Sequence, residues 1–152
     1  MTKPDGEFLR SLTESQGSVQ IAADWLRSLG YEVRVTPLRV RPDASQIAAY
    51  QDDGDLSVCI AGNWEIVEVK EIVFAPLREL ARDPSRTIII DNAASFERNN
   101  PHGYVLIDRA GTIGVVKTSG RQAWKWSTEY IGPDRQTKTV IRVPMSEVRL
   151  WR

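Results

Sequence analysis

Apolar residues change their spacing several times along this chain, and each change marks an element. Val19, Ala22, Ala23, Leu26 and Leu29 fall three and four apart, which is one face of an α-helix. Gly30 stands just past them, where a helix end favours glycine. Residues 1–12 read as a loose lead-in to that helix. YEVRV (31–35) then alternates with a period of two, as a half-buried strand does. TPLRVRPDASQ carries two prolines and reads as an irregular link. Within it, strand is expected near Leu38 to Val40, and a short helical turn over Asp43 to Tyr50.

DLSVCIA (55–61) alternates strictly, Gly62-Asn63 is turn chemistry, and WEIVEVKEIV (64–73) resumes the strand. FAPLRELARD predicts a short helix with Phe74, Leu77 and Leu80 on one side, and TIIID (87–91) a buried strand. FERNNPHG (96–103) reads as a loop. YVLID and TIGVVKT predict strands joined across Arg109-Ala110-Gly111. QAWKWSTEYIG fits strand or helix, TKTVIRVP is a strand, and SEVRLWR closes the chain. The expectation is one domain over 1–152 of α/β class with a mixed, α+β-like sheet, its core at about 13–92 and a strand-rich part at 101–152.

The hairpin raises a chemical question. With Gly62 and Asn63 at the two central turn positions, Asp55 faces Lys70, Ser57 faces Glu68 and Cys59 faces Ile66. Side chains alternate along a strand. Leu56, Val58, Ile60, Val67 and Val69 therefore share one apolar face, while Asp55, Ser57, Glu68 and Lys70 share the other. Asp55 and Glu68 are diagonal neighbours in this register, about 7–8 Å apart. Two such carboxylates can share one hard cation, since Mg²⁺ takes oxygen ligands and keeps several waters. An ordinary solvated Glu/Lys face would give the same pattern. Glu71 points the other way and is excluded; Asp52 or Asp53 would replace Asp55 if the strand began earlier.

Composition narrows the classes. Of the 152 residues, 41% are hydrophobic and 26% charged, enough for a packed core. The lone cysteine, Cys59, forms no disulfide framework, and it sits in an apolar run that predicts burial. No apolar run approaches the length of a membrane span, and MTKPDGEFLR lacks a signal-peptide core, so a cytoplasmic protein is expected. Net charge is zero, which argues against a strong non-specific nucleic-acid binder. The charge is uneven, however: 101–152 hold nine Lys/Arg against four Asp/Glu, and 55–100 hold five against eight. An acidic middle beside a basic tail fits a metal site next to a phosphate-tracking surface.

An Asp at the mouth of one strand, followed by E-x-K inside the next, after a helix ending LRSLGYEV, resembles the PD-(D/E)XK nuclease superfamily. That family's core runs helix, three strands, helix, strand, so the resemblance implies a restriction-endonuclease-like core with a strand-rich C-terminal extension. It implies a hydrolase of phosphodiester bonds in DNA that depends on Mg²⁺ or Mn²⁺. Asp55 and Glu68 would hold the metal, and Lys70 would act on the attacking water. Gly54 replaces the family's usual Pro before the Asp. The first helix offers Gln20 where many members carry Glu, which would weaken metal binding. Small cores of this kind, as in resolvases and phage enzymes, often form homodimers.

Other residues are weaker candidates. Ser57 could steady Glu68. Lys117, Arg121 and Lys125 could contact nucleic acid, while Trp124 and Trp126 are expected to fill core on one strand face. His102, the sole histidine, has no visible partners and receives no role. Two other functions stay open: a nucleic-acid- or protein-binding module with a weak or vestigial site, and an assembly component that uses its five tryptophans for contacts.

Overall fold

A computed structural model describes residues 5–36, 55–131 and 136–151, with the side chains of 5–16, 131 and 136 left aside. The link and helical turn expected between residues 37 and 54, with Asp52 and Asp53, lie outside the described residues.

The described residues form a mixed α/β fold with two sheets. Helix α1 (Asp5–Ser28) leads through Gly30, at φ +99°, into β1 (Val33–Val35). The helix covers most of the expected lead-in. Strands β2 (Leu56–Ile60) and β3 (Asn63–Ile72) form the hairpin. Helix α2 (Leu77–Leu80), strand β4 (Thr87–Asn92) and helix α3 (Ala93–Asn99) follow. The first half of the segment expected as a loop from Phe96 is thus helical, held by Asn92 accepting from Ser95 N–H and ended by left-handed Asn100. Strands β5 (Gly103–Asp108) and β6 (Ile113–Lys117) come next. A 3₁₀ turn (Thr118–Ala123) leads to β7 (Lys125–Ile131) and β8 (Gln136–Pro144), and a second one (Met145–Glu147) to β9 (Arg149–Leu150).

The first sheet runs β1-β2-β3-β5-β6-β9, and the second β4-β8-β7. The β1-β2-β3 meander is antiparallel, whereas β5 lies parallel to β3, so the chain must cross over between them. That crossover carries α2, β4 and α3. The strand predicted at 87–91 exists, but it pairs with β8 in the second sheet.

Each face of the six-stranded sheet has its own core. The outer face meets α1: Leu56, Val58, Val67, Val69, Val105 and Ile107 pack on Val19, Ala22, Ala23, Trp25 and Leu26. The inner face meets the second sheet: Ile72, Tyr104, Leu106 and Val116 pack with Ile88, Ile90, Ile141 and Val143. Phe74 departs from expectation, because the chain turns before α2 and leaves it 60% exposed while Leu77 and Leu80 are buried. Cys59 is free and only half-buried, facing Trp64. Among the described residues no helix is long and apolar enough to cross a membrane.

Candidate active site

The hairpin turn is one residue earlier than its sequence indicates. Ala61 (φ 50°) and Gly62 (φ 84°) take the two central positions, and Asn63 pairs with Ile60. Two successive positive φ angles make a turn whose twist matches the flanking strands. The register therefore shifts by two residues. Ser57 sits opposite Ile66 rather than Glu68, Cys59 opposite Trp64 rather than Ile66, and Asp55 is no longer the partner of Lys70. A shift of two preserves the faces, so Asp55, Glu68 and Lys70 still point to the same side.

The ladder ends with Leu56 paired to Val67, and Asp55 stands in the bend just before β2. Asp55 Oδ2 accepts the Val69 N–H at 2.8 Å, which anchors its carboxylate beside β3.

The shared side is the inner face, and it is not a solvated Glu/Lys surface. Glu68 is 2% exposed and Asp91 7%. A buried carboxylate needs donors or charges around it. Asn99, the last residue of α3, donates from Nδ2 to Glu68 Oε1 at 3.1 Å. Lys70 Nζ lies 3.6 Å from Asp91 Oδ1. Tyr104, opposite Glu68 on β5, donates its hydroxyl to Asp91 Oδ2 at 2.9 Å. Burial pushes the Tyr104 phenol far above its usual range, and the negative charges of Asp91 and Glu68 add to that. The hydroxyl therefore stays protonated and remains a donor.

Asp91 reaches this site through a bulge. Ile88 and Ile90 point inward, so simple alternation would turn Asp91 outward. The β4–β8 register shifts between Ile89 and Asp91, which places Asp91 opposite inward-facing Ile141. Bulges re-aim side chains in this way.

Of the residues the sequence singled out, Glu68 and Lys70 share the inner face of β3, and Asp55 is bound to the Val69 N–H between them. Ser57 shares their face without meeting Glu68 in register. Gln20 does not join them: it is exposed on α1, which packs on the outer face, and donates to Asp24 at 2.9 Å. Glu71 also lies away from the site, at 3.5 Å from Ser18 Oγ. Lys117, Arg121 and Lys125 are exposed on three separate elements. Lys117 lines a cleft of about 750 Å³ on the α1 side, with Trp25, Val67, Val105 and Trp151. Lys125 sits opposite Arg142 on β8. His102 is exposed at the rim of that cleft. Asp91, Asn99 and Tyr104 escaped the sequence reading.

The donor set suits a hard ion. Among the described residues no group of three or more His, Cys, Asp or Glu side chains is placed to hold a metal. Mg²⁺ needs no such cage, because one or two carboxylates plus waters and substrate phosphate suffice. Asp55 and Glu68 fit that requirement. Comparison with protein-family models, with curated proteins and with solved structures found no match.

Proposed function

We propose that this protein is a divalent-metal-dependent nuclease that hydrolyses phosphodiester bonds in DNA. What supports the reading is that Glu68 and Lys70 lie two apart on β3, on its inner face, while the Asp55 carboxylate accepts the N–H of Val69 between them. The order of elements is compatible with a PD-(D/E)XK core: a helix, a three-strand meander, a crossover that here carries α2, β4 and α3, and a strand parallel to β3. Asp55 lies at the mouth of β2, and Glu68 and Lys70 lie within β3.

In this reading Asp55 and Glu68 would hold Mg²⁺ or Mn²⁺. When bound, such an ion lowers the pKa of a coordinated water and polarises a phosphoryl oxygen. Asn99 fixes the Glu68 carboxylate, and the Val69 amide fixes that of Asp55, so neither must reorganise during reaction. Lys70, 31% exposed at its side chain, holds its ammonium 3.6 Å from Asp91 Oδ1. Its ammonium would orient the attacking water or stabilise charge that builds on the phosphate. Asp91, held by Tyr104, limits where that ammonium can go.

A second reading has its own observation. Glu68 is almost completely enclosed, and Lys70 already has a carboxylate partner. Both features fit a binding module with a weak or vestigial site. Cleavage of end-labelled single-stranded, duplex, nicked and branched DNA separates the two. Reactions would contain Mg²⁺, Mn²⁺ or EDTA, with wild type beside Lys70→Ala. A nuclease cuts at least one substrate in a metal-dependent way and loses about a hundredfold or more in the variant. No cutting, or cutting that survives Lys70→Ala, removes the proposed site.

A further inference from the structure

The two tryptophans expected to share a core face have separate fates. Trp124 is buried at 6% exposure, at the end of the 3₁₀ turn. Trp126 is 44% exposed on β7, an edge strand of the second sheet among the described residues. It faces fully buried Ile141 across the ladder, so its ring lies on the inner side, at the rim of the core. Tyr130 follows four residues later on the same side and is 66% exposed. At about 3.3 Å per residue, the two rings stand roughly 13 Å apart along the strand.

Trp126 is held in place from behind. It stacks on Trp124 at 6.2 Å and 25°, and meets Phe96 edge-on at 6.0 Å. Trp124 in turn touches Tyr104 at 6.2 Å, whose hydroxyl binds Asp91 beside Lys70. Phe96 lies on α3, the helix that delivers Asn99 to Glu68. The exposed Trp126 ring is thus connected by packed side chains to the candidate site. Exposed Arg121 and Lys125 flank the start of this strand.

We propose that Trp126 and Tyr130 form a stacking platform for the bases of an unpaired DNA strand, which makes single-stranded or locally unpaired DNA the substrate of the Asp55–Glu68–Lys70 site. The substrate assignment rests on the nuclease reading; the platform itself does not. A fixed aromatic ring with one packed side and one open side suits a base, because every base has a π-face. Bases within a duplex already stack on one another and cannot use it. A net charge of zero provides little sequence-independent grip on a duplex backbone, so contact with bases matters more.

The test is fluorescence anisotropy of the full chain in EDTA. Three labelled probes would be used: an oligothymidylate, an abasic chain of equal length, and a blunt duplex. The oligothymidylate should bind more tightly than either of the others. Trp126→Ala should weaken it about tenfold and leave the abasic chain unchanged, while Trp126→Phe restores most of the affinity. Tyr130→Ala, which leaves the Trp124 stack intact, should give a smaller loss of the same kind. Equal binding of abasic and base-bearing chains, indifference to Trp126→Ala in a variant that melts as wild type, or no binding would overturn the platform. Metal-dependent cutting of duplex DNA that ignores Trp126 would retain the nuclease and discard the platform. Trp126-dependent binding without cutting of any substrate would do the reverse.

Discussion

The two faces of the six-stranded sheet are built on opposite rules. The outer face is aliphatic from Leu56 to Ile107 and is closed by one amphipathic helix. The inner face is equally buried where Glu68 sits, yet it carries a carboxylate, an ion pair and a tyrosine–carboxylate hydrogen bond. Burial alone accounts for the first face. The second requires partners for its buried carboxylates, and α3, β3 and β5 each contribute one. Stability should therefore be concentrated on the outer face and chemistry on the inner.

Leu56→Ala would test the stability half most severely. Leu56 is fully buried between α1 and the sheet. Removing three carbons there should cost about 2–5 kcal/mol in denaturant unfolding. Cleavage by the fraction that remains folded should be unaltered. A variant that melts normally but cuts poorly would contradict the division between faces.

The chemistry half predicts an ion effect. In the proposed site an ion held by Asp55 and Glu68 would stabilise the folded state. Saturating Mg²⁺, at about a hundred times its Kd, should add about 2.7 kcal/mol. For a chain of this length that raises Tm by several degrees. Glu68→Gln should abolish most of the rise, because Gln keeps an oxygen for Asn99 but loses the charge. An equal rise in both proteins would place the ion elsewhere.

How much of this was legible in the sequence follows from the same division. Period-two alternation gave both strands of the hairpin and the sorting of Asp55, Glu68 and Lys70 onto one face. It did not give the register, because Gly62-Asn63 and Ala61-Gly62 are both two-residue turns and differ in register by two. Asp91 was hidden by the bulge, since alternation along TIIID directs it away from the core. Asn99 was hidden by a seven-residue helix whose only strong sequence signal is the Asn92 cap. A tyrosine inside the apolar run YVLID, and an acid that ends TIIID as Asp55 opens DLSVCIA, were the available signals. Both need tertiary placement before they mean anything. Gln20 failed for a related reason: helical spacing identifies the apolar face of α1 but not the face of the sheet it covers.

Tyr104→Phe examines the inner face with a smaller change. It removes only the hydroxyl that donates to Asp91 Oδ2. The Asp91 carboxylate retains Lys70 and the Asn92 N–H at 2.9 Å. The expected loss is about 1–3 kcal/mol, because a buried acceptor is left short of a donor. Cleavage should fall as well, since the Lys70 partner is less firmly held. A loss of stability with unchanged cleavage would make Tyr104 purely structural.

The weakest expected effect lies on the far sheet, at the strand that carries Trp126. Arg142 makes a two-pronged contact with Glu129 across β7 and β8. The Arg142 hydrogen bonds hold the Glu129 carboxyl below the ordinary carboxylate range against the opposing effect of burial, with lesser help from Ser127 and the Arg142 charge. A carboxylate with a depressed folded-state pKa stabilises at pH above its unfolded value, near 4.3 for Glu. That contribution disappears as pH falls through the lower, folded-state value. Urea midpoints of wild type and Glu129→Gln should therefore differ modestly at neutral pH and converge in acid, below about pH 4. A gap that persists in acid would mean that Gln disturbs the β7–β8 edge for reasons other than charge. The Trp126 platform would then have to be tested in a wild-type strand.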